Sequence, residues 1–276
     1  MSNNALAETL EFAVALAREG GDFTVPYFYS PELLVEYKPD RSYVTAADRG
    51  AEKLMRDRIE AQYPDDGIVG EEWGIKQGTS GRTWFLDPVD GTEAFVRGVP
   101  LYGTLVACVR DGEPKADVGV IYLPALSQIA FASRGGGTWW ASQLPRFDDS
   151  PGMLKDAHRA KVSGVHDAAD ACLLTTHHEW WERTGRKPVL DRLMSGFGVR
   201  RMWGHCYAPF MVSTGRADVW VEPSAHDWDF APVNLIVEEA GGRATSISGE
   251  PTFRGESLVI SNGHLHGRAM DALQGF

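Results

Sequence analysis

Apolar positions along the first part of the chain recur at the spacing of a helix. Over 5–18 they return every three or four residues, and a Gly-Gly pair follows, which predicts a helix that ends there. Over 46–63 the same spacing places Leu54, Met55 and Ile59 on one face, and the Pro-Asp-Asp-Gly that follows predicts the end of a second helix. Both helices are therefore expected to bury one face.

Short apolar runs then replace the helical spacing. They are separated by turn residues and lie at 68–70, 83–87, 103–110, 117–123 and 128–133. Runs of this length between turn signals are typical of strands in a meandering sheet.

The second half of the chain alternates strand-like and helix-like segments. Strand-like runs lie at 171–176 and 217–222, and helical spacing occurs near 188–195, 206–214 and 229–240. This alternation predicts an α/β second half. The polar segment 141–156 contains two prolines and is the predicted boundary between two subdomains that share one core. We therefore expect an α+β subdomain over 1–145 and an α/β subdomain over 146–276.

Composition places the chain among globular proteins and argues against one class of partner. Its 276 residues are 43% hydrophobic and 24% charged, as is usual for a soluble protein. The formal net charge of −11 argues against a nucleic-acid partner, which requires clustered Lys and Arg. The acidic excess fits either solubility or carboxylates neutralised by bound cations, and composition does not separate the two.

The chain carries no signal for a membrane or an oxidising compartment. No apolar window approaches the ~20 residues of a membrane span, and glutamates interrupt the N-terminal segment, which argues against a signal peptide. Cys108, Cys172 and Cys206 lie far apart without CxxC spacing, so we expect reduced thiols. These features predict a cytoplasmic protein without a membrane partner.

The segment WFLDPVDGTEAF ends an apolar run with Asp87 and Asp90. Positions three apart on a regular strand face opposite sides, so the two carboxylates would not share a ligand. Pro88 favours a turn, so we expect the strand to end there and both carboxylates to face one volume. Gly91 permits close backbone approach, and a helix that begins at Thr92 would direct N–H groups at an anion. A solvated turn that caps the next helix is the alternative.

Two further acidic clusters lie at predicted strand ends or helix starts. IVGEEWG contains Glu71 and Glu72, and VWVEPSAHDWDF contains Glu222, Asp227 and Asp229. Carboxylates held together repel each other unless a hard cation lies between them. All-oxygen ligand sets are typical of Mg²⁺, and a two-metal site would support phosphoryl transfer to water.

The motifs GEE, WFLDPVDGT and WDFAPVNLIVEEAGG, in this order, resemble those of the inositol monophosphatase superfamily of Mg²⁺-dependent phosphomonoesterases. The resemblance extends from 43–55 to 259–263 and is weakest over 138–200. It implies an α/β fold, specifically the layered α-β-α-β-α sandwich of these sugar phosphatases. It also implies a homodimer that hydrolyses a small phosphorylated metabolite with two or three Mg²⁺ ions.

The resemblance implies a role for each motif residue. Metal binding would fall to Glu71, Asp87, Asp90, Asp229 and the backbone carbonyl of Val89. The N–H groups of Gly91 and Thr92 would bind phosphate. Thr92 and Glu71 would orient and deprotonate the attacking water, with Asp48 hydrogen-bonded to Thr92.

The predicted substrate also comes from the resemblance. YKPDRSYVTAAD, FVRGVP and YLPAL resemble the histidinol-phosphate phosphatase branch more than the inositol branch, which predicts hydrolysis of histidinol phosphate to histidinol. Many members of that branch have Gly-Asp-Cys where this chain has His205 between the Gly and the Cys, so a carboxylate suited to the substrate's ammonium group is missing. Inositol 1-phosphate, or another cyclitol or sugar phosphate, therefore stays open. Glu222, His205 and His226 are the predicted substrate-binding residues.

Several residues admit simpler interpretations. The Trp pairs at 139–140 and 180–181 are expected in a core or a subunit interface. His264 and His266 are expected to be exposed without a ligand role. A family member that binds or regulates without catalysis is a third hypothesis, but it predicts loss of a metal carboxylate, and all of them are present.

Overall fold

The structure is a computed structural model that describes residues 3–39, 41–143, 156–224, 226–255 and 257–274. Most of the predicted boundary segment 141–156 lies outside these residues. The division into 1–145 and 146–276 therefore stays a prediction.

The structure contains the predicted helices and strands in their predicted order, together with further short elements. The helices are α1 (Asn3–Thr24), α2 (Ala46–Gln62), α3 (Thr92–Val96), α4 (His178–Arg183), α5 (Lys187–Ser195), α6 (Tyr207–Ser213), α7 (Asp227–Glu239) and α8 (His266–Ala272). The strands are β1 (Val35–Tyr37), β2 (Tyr43–Thr45), β3 (Gly67–Gly70), β4 (Gly74–Lys76), β5 (Arg82–Asp90), β6 (Gly103–Arg110), β7 (Val118–Leu123), β8 (Gln128–Ser133), β9 (Gly137–Ser142), β10 (His158–Arg159), β11 (Cys172–Thr175), β12 (Val199–Arg201), β13 (Val219–Glu222), β14 (Arg243–Thr245) and β15 (Leu258–Ser261).

Five layers of secondary structure stack on one another. Helices α1 and α2 cover one face of an eight-stranded sheet of order β10-β9-β8-β7-β6-β5-β3-β4. Helices α6 and α7 lie between this sheet and a five-stranded sheet of order β12-β11-β13-β15-β14. Helices α4, α5 and α8 cover the outer face of the second sheet. The predicted α-β-α-β-α sandwich is confirmed.

Alternation along the strands explains the layering. On β13, Val219 and Val221 face the outer helices, whereas Trp220 between them packs in the core of the middle layer. A strand with apolar residues on both faces needs cover on both sides, because successive side chains point to opposite faces. Cover on both faces does not require a purely parallel sheet: β13 pairs with β11 in parallel and with β15 antiparallel.

The first helix does not end at the Gly pair, as the sequence predicted. Helix α1 continues through Gly20 and Gly21 to Thr24. A Cβ on Gly20 would lie 2.5 Å from Met55 Sδ, and one on Gly21 would lie 2.5 Å from the ring of Tyr122. These glycines therefore permit close packing of α1 on α2 and on the sheet.

The expectation that β5 ends before Pro88 is also wrong. The strand continues to Asp90, but its register against β6 shifts: Asp87 pairs with Leu105 and Asp90 pairs with Gly103. Asp87 and Asp90 are three residues apart on β5, whereas their partners on β6 are two residues apart. Strand β5 therefore has one extra residue here, which is a β-bulge. Because the partner residues are two apart, both aspartates lie on the same face of the sheet. A proline is tolerated at such an irregularity, where no ladder N–H is required.

Cysteines Cys108, Cys172 and Cys206 are all free, as expected. Within the part of the chain that the structure describes, no helix combines the length and the apolar character needed to cross a membrane.

Candidate active site

Three carboxylates converge where β5 meets the start of α7. Asp87 and Asp90 come from the bulge of β5, and Asp229 comes from the first turn of α7, where it accepts a hydrogen bond from the N–H of His226 at 2.8 Å. One oxygen from each carboxylate lies within 4.8 Å of the others. Within the described ranges, this is the one group of three or more His, Cys, Asp or Glu side chains close enough to share a metal ion.

The electrostatics of this group favour a cation. Burial raises the pKa of Asp87 well above its usual range, and Glu71, Asp90 and Asp229 raise it further by repulsion. Burial likewise raises the pKa of Asp229, and the charges of Asp90 and Glu71 add to this effect. A hard divalent cation would relieve the repulsion, and an all-oxygen donor set suits Mg²⁺.

Hydrogen bonds between residues two or three apart in the sequence hold the segment after Asp87 in a turn. The N–H of Val89 donates to Asp87 Oδ1 at 3.0 Å. The carbonyl of Val89, a predicted metal ligand, lies 3.1 Å from Thr92 Oγ1. Gly91 adopts a left-handed conformation with φ of 87°, which brings the chain into α3. Thr92 thus lies directly beside the carboxylate group.

The predicted contact between Thr92 and Asp48 is present in the structure. Thr92 Oγ1 lies 3.2 Å from Asp48 Oδ1. The other oxygen of Asp48 accepts hydrogen bonds from the N–H and the hydroxyl of Thr45, in a capping box at the start of α2. Burial raises the pKa of Asp48 to about 6, although the bonds from Thr45 oppose this shift. Asp48 is therefore fixed on one side and free to hold Thr92 on the other.

Glu71 lies in the turn between β3 and β4 and has a cationic partner. Lys38 Nζ lies 2.6 Å from Glu71 Oε1 and 2.6 Å from Glu72 Oε1. Burial alone would lower the pKa of Lys38, but the two glutamates outweigh it and raise this pKa above its usual value. Sequence reasoning missed Lys38; its one signal was the basic residue in YKPDR, a segment used there only for the family resemblance.

The predicted substrate-binding residues all come from the second half of the chain. His205 has a left-handed backbone with φ of 57°, and its Nδ1 lies 3.5 Å from Asp90 Oδ1. Burial opposes a charged ring, but Asp90, Glu222 and Asp229 outweigh it and raise the pKa of His205 to about 9. Burial raises the pKa of Glu222 to about 8. His226 is exposed and packs against Trp228, with ring centroids 4.5 Å apart.

These side chains line one cleft of about 360 Å³. It contains every predicted site residue except Asp48, which contacts it through Thr92. It also contains Arg41, Trp180 and Arg183, to which sequence reasoning gave no place in the site. They lie far from the acidic motifs in the sequence, so no local pattern marked them.

Comparison with known proteins decides the family. The chain matches the model of the inositol monophosphatase family over residues 5–275. It belongs to this family. The family is metal-dependent and its members are phosphoric monoester hydrolases that act on small phosphorylated substrates, so the predicted family and enzyme class are confirmed.

Individual relatives of this family member resemble it over nearly their whole length. The histidinol-phosphatase of Chlorobaculum parvum is 37% identical, with 92% of each chain covered. The inositol-1-monophosphatase of Rhizobium meliloti is 31% identical over 99% of this chain and 98% of the relative. The crystal structure of the extragenic suppressor protein suhB from Bartonella henselae superimposes with a TM-score of 0.84 at 27% identity, covering 97% of this chain and 99% of that one.

Two simpler expectations need correction in this family member. Trp181 packs in the outer core as expected, but Trp180 lines the cleft and donates from Nε1 to the carbonyl of Ser224 at 3.1 Å. His264 is exposed as expected, but His266 is buried and lies within 3.0 Å of the hydroxyls of Thr245 and Ser261. A buried imidazole requires hydrogen-bond partners, and these two hydroxyls provide them. The spacing of the two histidines in the sequence did not indicate that His266 would be buried.

Proposed function

We propose that this member of the inositol monophosphatase family is a Mg²⁺-dependent phosphatase that hydrolyses histidinol phosphate to histidinol and phosphate. The observation that carries the proposal is the group formed by Asp87, Asp90 and Asp229 beside Gly91 and Thr92. The 37% identical histidinol-phosphatase supports the choice of substrate.

The metal ligands in this proposal are Asp87, Asp90 and Asp229, joined by Glu71 and the carbonyl of Val89. Two or three Mg²⁺ ions, when bound, supply an acidified water and neutralise charge on the phosphate. The chain's own contribution is a rigid set of oxygens, because the bulge of β5 and the first turn of α7 fix the directions of the carboxylates.

Thr92 and Glu71 handle the attacking water. When the hydroxyl of Thr92 donates to Asp48 Oδ1, a lone pair on Thr92 Oγ1 is left to accept a hydrogen bond from the water. As the water oxygen bonds to phosphorus and the ester P–O bond breaks, Glu71 accepts the proton that the water loses, and the leaving alkoxide takes a proton from solvent. The N–H groups of Gly91 and Thr92 orient the phosphate against the water, so no covalent intermediate is required.

The other end of the substrate would lie against Glu222, His205 and His226. Glu222 is buried at the end of β13 and offers a carboxylate to an ammonium or hydroxyl group. His205 contacts Asp90 and interacts electrostatically with Glu222, so its charge reduces the negative charge that the pocket presents.

A panel of phosphate esters tests the proposal. Purified protein with Mg²⁺ receives histidinol phosphate, inositol 1-phosphate, fructose 1,6-bisphosphate or adenosine 3′,5′-bisphosphate, and phosphate release is measured. We expect the largest kcat/KM with histidinol phosphate and loss of activity with EDTA. No release from any of the four esters would refute the enzymatic proposal for these substrates.

An inositol or other cyclitol phosphate is the second candidate, because one observation favours it. His205 stands where a carboxylate would suit an ammonium group, and Glu222 can accept a hydrogen bond from a ring hydroxyl. A higher kcat/KM for inositol 1-phosphate than for histidinol phosphate would transfer the proposal to this substrate. A homodimer and a cytoplasmic location are further predictions, and light scattering in solution tests the first.

A further inference from the structure

A buried carboxylate outside the cleft holds the turn that carries Glu71. Glu52 lies on α2 with its side chain fully buried. Its Oε2 accepts the backbone N–H of Glu72 at 2.7 Å, and its Oε1 accepts that of Trp73 at 3.1 Å. These two N–H groups directly follow Glu71, so Glu52 fixes the backbone at the point where the Glu71 side chain leaves it.

Arg56, one helical turn later, completes this attachment. Its Nε donates to Glu52 Oε1 at 2.7 Å, and its guanidinium also contacts the carbonyl of Gly74. The Trp73 indole adds a bond of 3.0 Å to the carbonyl of Arg49 on the same helix. Residues 72–74 are therefore hydrogen-bonded to α2 at three positions along the helix, namely Arg49, Glu52 and Arg56.

The fit between Glu52 and the turn leaves no spare room. A Cβ on Gly70 would lie only 2.1 Å from Glu52 Oε1, so the carboxylate reaches the turn only because residue 70 is glycine. On its other side, the N–H of Glu71 donates to the carbonyl of Leu86, the residue before Asp87, at 3.3 Å. Glu71 is thus held between β5 and α2.

Helix α2 therefore connects two parts of the proposed mechanism. Its first turn carries Asp48, which contacts Thr92, and its second turn carries Glu52. We propose that Glu52 is a positioning residue that, with Arg56, aims the Glu71 carboxylate at the metal group; this inference rests on the proposed function in taking Glu71 as a metal ligand. Partners that orient metal ligands change metal affinity without touching the metal.

Glu52→Gln tests this role. The amide keeps the size of the side chain but replaces one acceptor by an NH₂ group that faces a donor. We expect the affinity of the full, metal-stripped chain for Mn²⁺, measured by calorimetry, to fall at least tenfold, as is usual when such a partner is lost. The Mg²⁺ concentration for half-maximal activity should rise in parallel, with little change in substrate KM at saturating Mg²⁺.

Glu60→Gln on the same helix is the matched control. Glu60 is exposed and its partner Lys76 lies 3.9 Å away, so this variant should bind Mn²⁺ like the unchanged protein. A purely structural Glu52 would lower the melting temperature but leave the Mn²⁺ affinity of the folded protein within twofold, and that result would overturn the proposal.

Arg56→Lys decides the matter if Glu52→Gln does not fold. It keeps a cation near Glu52 but loses the forked contact that joins Glu52 to the carbonyl of Gly74. We expect about a threefold loss of Mn²⁺ affinity, since one of several bonds is removed, and unchanged affinity would overturn the proposal. The Mn²⁺ affinity is measured without substrate. Failure to hydrolyse any ester would therefore refute the proposed function, whereas the effect of these substitutions on Mn²⁺ affinity could still be interpreted.

Discussion

The two walls of the cleft are built in different ways. The wall that carries the proposed metal ligands, called the metal-side wall, comes from two short motifs, DPVDGT at the end of β5 and WD at the start of α7, together with Glu71. The wall that carries the proposed substrate-binding residues, called the substrate-side wall, combines His177, Trp180, Arg183, His205 and Glu222, which come from separate parts of the second half of the chain. Two compact sequence motifs supply most of the metal-side wall, and the register of β6 and the packing of α7 bring them together. The substrate-side wall is assembled from single residues of α4, of the segment before α6 and of β13.

This difference predicts that substitutions on the metal-side wall abolish chemistry, whereas those on the substrate-side wall change preference. Asp90→Asn should show the first effect most strongly. Loss of a ligand charge would weaken metal binding and lower kcat/KM by about a thousandfold, equivalent to roughly 4 kcal/mol of transition-state stabilisation. Phosphate release and circular dichroism, measured together, separate loss of activity from loss of fold.

Asp227→Asn is the control for Asp90→Asn. Asp227 lies two residues from Asp229 but pairs with Arg254 at 2.9 Å and does not line the cleft. It should retain activity within a few fold. Comparable losses in both variants would mean that general negative charge, and not the three-carboxylate group, supports the reaction.

Thr92→Val should give the next largest effect. Valine keeps the shape but removes the hydroxyl that contacts Asp48 and would orient the water. A positioned proton-transfer group contributes 10²–10⁴-fold, so we expect kcat to fall about a hundredfold with a small change in KM. Thr92→Ser should recover most of this loss, and a valine variant with normal kcat would remove Thr92 from the mechanism.

The pKa of His266, which lies outside the cleft, is shifted in the opposite direction from that of His205 inside it. Carboxylates raise the pKa of His205, whereas burial, with repulsion from Arg243, lowers the pKa of His266 from 6.5 to about 4. The folded state therefore binds the proton on His266 less readily than the unfolded state. This contribution to stability is complete above pH 6.5 and is lost progressively as the pH falls towards 4.

Urea unfolding at pH 7 and pH 5 measures this effect. At pH 5 the unfolded state carries almost a full proton on His266, whereas the folded state carries little of one. Lowering the pH from 7 to 5 should therefore reduce the free energy of unfolding by about 2 kcal/mol through this residue. His266→Asn cannot titrate and should lose about that much less over the same interval. Equal losses in both proteins would contradict the assignment.

Local patterns predicted the parts of the fold whose causes are local. The helical face of α2, the central strands of the first sheet and the carboxylates next to Pro88 and in the WD pair were all readable from spacing. The family resemblance supplied the layered fold and a role for each motif residue, which spacing alone did not.

Features decided by packing could not be predicted in this way. Gly20 and Gly21 lie inside α1 because Met55 and Tyr122 approach them, and the sequence shows the glycines but not the approach. The bulge that brings Asp87 and Asp90 to one face depends on the register of β6. Lys38 reaches Glu71 across 33 positions, a distance over which spacing carries no information.

His205→Asp should have the smallest effect and is the sharpest test of the substrate-side wall. Aspartate accepts the left-handed backbone that His205 adopts and adds a carboxylate to the cleft that Glu222 and Asp90 also line. A charge-assisted bond to an ammonium group contributes about 1.5 kcal/mol or more, so the ratio of kcat/KM for histidinol phosphate over inositol 1-phosphate should rise about tenfold. His205→Asn introduces a side chain of the same size as aspartate but without its charge, and it should leave the ratio nearly unchanged. If both variants shift the ratio equally, the imidazole acts by its shape, and the charge of this wall does not select the substrate.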